Sequence, residues 1–169
     1  MAVVGTRLPE AARRERAGWY AALGDEFAAA AVSGLQATVA DFFRWHAERE
    51  RCRAAYRAFF REWDVLLAPI TLTPAFEHRG VRWPMTQGML EWTIPVGAQT
   101  VPYEWQSVYP GIATLSGQPA TAFPVGLTRD GLPIGLQAIG PYLEDRTTIR
   151  FAELLGRELG PLARPPGYD

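Results

Sequence analysis

From Asp41 onward, Phe42, Trp45, Cys52, Tyr56, Phe59 and Trp63 recur at spacings of three, four and seven, while Arg44, Glu48, Arg51, Arg57 and Arg61 occupy other positions around the turn. This spacing predicts an amphipathic helix of several turns with its apolar stripe buried and Asp41 as its N-terminal cap. Before it, residues 9–31 are alanine-rich and helix-prone, with Gly24 and Gly34 as interruptions. After it, the run Val65-Leu66-Leu67-Ala68 is stopped by Pro69. It is too short for a helix, and Pro69 cannot donate within a ladder, so a short buried strand is expected. A helix leading into a buried strand implies α/β layering.

Residues 77–90 read as an irregular loop, and the segment "TIPVGAQTVPY" as a hairpin around Gly97. A short helix follows and stops at Gly117, because Pro119 disfavours helical geometry at Gln118. Residues 120–125 and 134–139 read as strands joined by a turn at Asp130-Gly131, where Gly131 can take a positive φ without steric cost. The second of these strands places Ile134, Leu136 and Ala138 on one face and Gly135, Gln137 and Ile139 on the other. Apolar or small residues on both faces put it inside a covered sheet. The last helix begins near Glu144-Asp145, either of which can cap it. Ile149, Ala152, Leu155 and Leu159 form its expected buried stripe, Gly160-Pro161 closes it, and residues 161–169 form a frayed tail.

Composition narrows the function classes. At 169 residues, 48% hydrophobic and 21% charged, the chain matches a globular protein large enough to bury a core. A formal net charge of -1 provides no basic field for nucleic acid and no polybasic patch for a membrane surface. A single cysteine and two histidines fall short of a structural zinc site, and no run is apolar enough for a membrane helix, so a soluble cytoplasmic protein without a cofactor is expected.

Few side chains are candidates for chemistry. Ser33, Ser107 and Ser116 are the only serines, and none lies in a Gly-x-Ser-x-Gly elbow. Ser116-Gly117 reads more simply as the end of a helix. Cys52 on the apolar stripe reads as a buried structural thiol, and His46 as a partly buried or surface histidine. His78 beside Glu77 is better placed for a base but has no nucleophile near it in sequence. Glu144-Asp145 fits helix capping as well as acid/base work. All 17 basic residues are arginine.

The segments "WDVLLAPITLTPAF" and "SGQPATAFPVGLTRDGLPIGLQAIGP" resemble, respectively, the D-V-L-L-x-P strand and the Gly/Pro-spaced C-terminal segment of the amidase signature family. Glu144-Asp145-Arg146-Thr147-Thr148 and the helix after it also match. The resemblance covers residues 35–160, with a helical N-terminal segment at 1–34 and a tail at 161–169. It implies an α/β fold holding the C-terminal part of a mixed β-sheet covered by helices. It also implies amide C–N hydrolysis of a small-molecule substrate by the complete enzyme.

The family's lysine and two serines lie upstream of everything matched here, and an arginine stays protonated at neutral pH and cannot replace the lysine as a base. No catalytic residue is therefore carried over to this chain. Thr114, standing where many members have asparagine, joins Ser116 and Gln118 as candidates for the substrate-pocket wall. Two accounts follow: the C-terminal portion of a hydrolase, or a non-catalytic subunit completing its sheet with a complementing chain or a second copy. A third account, an independent hydrolase using Ser116 or Ser107 with His78, has no sequence support for its nucleophile, its base or its oxyanion hole.

Overall fold

The structure is a computed structural model and describes residues 7–77 and 93–160. His78, most of the expected loop at 77–90 and the tail at 161–169 lie outside the described residues. The chain divides into two compact units, Met1–Glu48 with Glu77–Trp105, and Arg49–Phe76 with Gln106–Asp169.

In the first unit, α1 (Glu10–Leu23) ends at Gly24, whose φ of 73° reverses the chain. Asp25 then caps α2 (Glu26–Leu35) by accepting from the Ala28 N–H at 2.8 Å. Ala17, Tyr20, Ala28, Ala31 and Leu35 form the core between the two helices. The expected interruption at Gly24 is present. Gly34 instead lies within α2 on its buried face, where the absence of a side chain suits close packing. The expected hairpin is β2 (Thr93–Val96) and β3 (Gln99–Pro102), paired Ile94 to Val101, with Gly97 at φ 60° in the turn. Ile94 is fully buried.

Helix α3 (Val39–Phe59) crosses from the first unit into the second. Its start differs from expectation. Thr38 is the capping residue: its hydroxyl accepts from the Asp41 N–H at 3.1 Å, and Asp41 Oδ2 accepts from the Thr38 N–H at 3.0 Å. Reciprocal bonding of this kind is a capping box, so Asp41 sits three residues inside the helix. The stripe also differs, since no residue of α3 is buried, Phe42 and Trp63 are exposed, and Cys52 is only half-buried. In the second unit the helix is held by long polar side chains, described below.

The second unit carries a three-stranded sheet in the order β1-β5-β4, built from β1 (Leu66–Pro69), β4 (Ala120–Leu127) and β5 (Pro133–Ile139). Both pairings are antiparallel. The prolines follow the hydrogen bonding: Pro69 and Pro124 lie on the outer strands and Pro133 opens the middle one, where the missing N–H costs least. The β4–β5 register shifts between Pro124 and Gly126, a bulge beside the loop in which Gly131 takes a φ of 79°.

The middle position expected for residues 134–139 is observed, but only Gln137, Ala138 and Ile139 are buried. The four residues of β1 reach no further than Leu136, leaving Ile134 near the rim. Ala68, Ala113 and Ile139 form the core here, with Phe60, Leu66 and Ile112 packed against them.

Helix α5 (Asp145–Leu159) packs on β4 and β5 by a face turned slightly from the expected stripe, of which Ala152 and Leu155 remain half-buried. Thr148 is its one buried residue, and the ring of Phe151 meets Phe123 edge-on at 6.1 Å, while Ile149 is 57% exposed and Leu159 51%. The turn follows from a polar contact. The Thr148 hydroxyl donates to the Asp145 carbonyl at 2.9 Å, which leaves it to accept from the Thr121 hydroxyl at 2.8 Å.

Candidate functional site

Helix α4 (Val108–Ser116) follows a 3-10 turn at Tyr103–Ser107 and ends as the sequence implies, on Gly117 at φ 75°. The N–H groups of Gly117 and Gln118 both reach the Ala113 carbonyl at 3.0 Å, closing the helix before β4 begins. This corner carries the three candidate pocket-wall residues. Ser116 is fully buried and Gln118 is buried, and among the described residues neither Ser116 Oγ nor Gln118 Oε1 has a hydrogen-bond partner. Thr114 lies on the exposed side of α4, with its hydroxyl donating to the Pro110 carbonyl at 3.0 Å.

Three side chains that the sequence did not mark as site residues hold the corner. Arg53 donates from Nε to the Ser116 carbonyl at 2.8 Å and from Nη1 to Glu50 Oε1 at 2.7 Å. Its guanidinium carbon lies 5.6 Å from the centroid of the Tyr142 ring, within cation–π range. Tyr56, one turn along α3, donates to the Ile112 carbonyl at 3.0 Å, and burial pushes its phenol pKa up, with a further rise from Cys52. Gln137 Nε2 donates to the carbonyls of Pro69 at 2.8 Å and Tyr109 at 3.0 Å, tying β5 to the end of β1 and the start of α4. One signal for Arg53 and Tyr56 was available in the sequence, because residues three apart on a helix share a face.

The other candidates separate. Ser107 precedes α4 and Ser116 ends it, nine residues or about 13 Å apart at a helical rise, and His78, the base expected for either, lies outside the described residues. His46 is half-buried beside the Phe42 ring at 6.3 Å. Glu144 and Asp145 lie exposed at the start of α5, on a surface depression of about 390 Å³ also lined by Leu143, Arg146 and Thr147. There the Thr147 hydroxyl donates to Glu144 Oε2 at 3.3 Å, so this pair works in the first turn of the helix.

In the first unit, burial pushes the Glu104 carboxyl above its usual range, with Asp25 adding to the rise, and burial likewise raises the Tyr20 phenol. Among the described residues no group of three or more His, Cys, Asp or Glu could hold a metal ion, and no helix is long and apolar enough to cross a membrane. The corner therefore offers a hydroxyl, an amide oxygen and a fixed guanidinium, groups that orient a ligand or a backbone without moving a proton at neutral pH.

Known proteins are similar to this chain in sequence and fold. The family model described as Amidase matches residues 27–149. A glutamyl-tRNA(Gln) amidotransferase subunit of Thermus thermophilus is 36% identical over 111 residues, covering 64% of this chain and 20% of that protein. A solved chain from a vestigial protein complex, reported as revealing the evolutionary origins of an s-triazine catabolic enzyme, superposes with a TM-score of 0.60. It is 25% identical and is matched over 78% of this chain and 27% of its own. A crystal structure of an amidase gives a TM-score of 0.57 at 25% identity, over 80% of this chain and 29% of the other. The chain thus spans a fifth to under a third of the length of these relatives. With the Gly/Pro-spaced stretch from Ser116 to Pro141 folded into a helix-ending corner and two paired strands, and with the match running over residues 27–149, the chain belongs to the amidase family.

Proposed function

We propose that this chain is the C-terminal portion of an amidase-signature hydrolase, a cytoplasmic enzyme that cleaves the C–N bond of a small-molecule amide. In that reading residues 35–160 supply sheet strands, covering helices and part of the substrate pocket, residues 1–34 form a helical lead-in and residues 161–169 a tail. Thr114, Ser116 and Gln118 stand on the pocket wall. The observation that carries the reading is a family match across residues 27–149 of a chain whose 17 basic residues are all arginine. The family's mechanism needs a lysine to deprotonate its bridging serine, and a guanidinium does not lose its proton near neutral pH. The base and the nucleophile then belong to residues outside this sequence.

The test is reconstitution. The chain is co-expressed with, or fused behind, an amidase-family N-terminal portion that carries the lysine and both serines, and ammonia release from simple primary amides is followed. Turnover that requires both parts supports the reading. Inactivity of a folded, stoichiometric assembly across aliphatic and aromatic amides contradicts it.

A second reading, a non-catalytic subunit that completes its sheet with another chain, is favoured by one observation. Among the described residues β1 and β4 each have a neighbour on one side only, and Leu67 on β1 and Leu127 on β4 are exposed. Size-exclusion chromatography tests this second reading: a compact monomer that melts cooperatively removes the need for a partner.

A further inference from the structure

Helices α3 and α4 meet through a polar ladder. On α3, Arg53 and Tyr56 lie three residues apart and share one face. On α4, the carbonyls they bind, Ser116 and Ile112, lie four apart and stack one above the other. The donors climb as the acceptors descend, so sliding or rotating either helix by one residue breaks both bonds at once. No residue of α3 is buried, so packing alone does not impose this register.

The Arg53 end is held on several sides. Its Nε takes the Ser116 carbonyl, one of the last four of α4, which have no partner within the helix. Its Nη1 is anchored by Glu50 and its guanidinium carbon lies over the Tyr142 ring. At Gly117 a Cβ would stand 3.3 Å from Arg53 Nη2 and 3.8 Å from Tyr142 Cε2, so the guanidinium and the ring cover the glycine on which the corner turns. The planar guanidinium reaches the carbonyl and the carboxylate from two nitrogens held at a fixed angle, which a single ammonium does not reproduce.

We propose that Arg53, aided by Tyr56, is the positioning residue of the Ser116–Gln118 corner, fixing the height and direction at which that segment is presented. The functional weight of this inference rests on the reading of Thr114, Ser116 and Gln118 as pocket wall. Arg53 acts through the backbone and touches none of the reacting atoms.

Amide hydrogen exchange of the full chain tests it, with Arg53→Met, Arg53→Lys and Tyr56→Phe. In Arg53→Met the Gly117 and Gln118 amides, which bond Ala113, are expected to exchange at least about tenfold faster than in the parent, while amides in the middle of α5 change by less than about threefold. Arg53→Lys keeps the charge but not the fork. It is expected to restore the thermal midpoint to near the parent value and to leave Gly117 and Gln118 fast, a split that general loss of stability does not produce. Tyr56→Phe is the mild variant, expected to fold like the parent and to speed the Gln118 and Gly117 amides by a smaller factor.

Equal acceleration at α5 and at the corner, or unchanged protection at Gly117 and Gln118 in both Arg53→Met and Tyr56→Phe, overturns the proposal. The measurement uses no substrate. Its failure leaves the pocket-wall reading standing, whereas failed amide turnover in the reconstituted enzyme removes that reading without touching the exchange result.

Discussion

Gly140 has no room for a side chain, since a Cβ there would stand 2.5 Å from Thr148 Cγ2. Thr148 cannot step aside while its hydroxyl is held by Thr121 and by the Asp145 carbonyl. Gly140→Ala is therefore expected to destabilise the chain by about 1–3 kcal/mol in urea unfolding, the usual cost of forcing atoms into a packed contact. Adding Thr148→Ser removes the clashing methyl and keeps the hydroxyl, so the double variant is expected to recover most of that loss. No recovery means that the contact is not the cause. At this scale the Gly-Pro at 140–141 was legible, because glycine and proline carry their backbone demands with them. Gln137 was not. As one more residue of an alternating strand it gave no sign that its amide would tie together Pro69 and Tyr109, carbonyls that are distant in sequence.

Among the elements, α3 shows how a helix can be legible in extent and misleading in orientation. Its apolar spacing located the helix, but the face that meets α4 is set by Arg53 and Tyr56, whose partners are backbone carbonyls that no side-chain pattern reveals. The start of α3 was displaced for a similar reason. Asp41 looks like a cap, yet Thr38 lies three residues earlier and the two bond reciprocally.

Thr38→Ala is expected to cost about 1 kcal/mol, read by chemical denaturation. Bonds from the Thr38 side chain and backbone, with Arg44 beside them, hold the Asp41 carboxyl below its ordinary 3.8. A carboxylate lowered in the folded state stabilises the fold at pH values above its ordinary pKa, and that contribution is lost as pH falls through the lowered folded value. Thermal midpoints followed downward from neutral pH are expected to fall less steeply in Thr38→Ala than in the parent. Parallel curves would show that the capping box does not contribute to the acid limb.

For the molecule as a whole, the family likeness and the exposed surface point the same way. Leu67, Leu127, Ile149 and Leu143 are large apolar residues left exposed around a sheet of three strands, and the chain covers under a third of the length of its matched relatives. The isolated chain is expected to bind ANS and to self-associate as its concentration rises. A sharp two-state melt with little ANS fluorescence would show that these surfaces need no cover.

The strands, their order of appearance and the corner at Gly117 were readable from the Gly/Pro spacing. The face of α5 was not, because apolar residues flank both sides of the stripe and the choice between them is made by one hydroxyl pair. The candidate site was legible as a segment, while its support by Arg53 and Tyr56 needed the fold.

The most direct test of the central claim is ammonia release from primary amides, measured for the purified 169-residue chain alone and again after it is joined to an amidase N-terminal portion bearing the lysine and serines. The expected result is no turnover above background for the chain alone and turnover for the assembly. Turnover by the chain alone that disappears in Ser116→Ala would contradict the account, since it would place the chemistry in this chain.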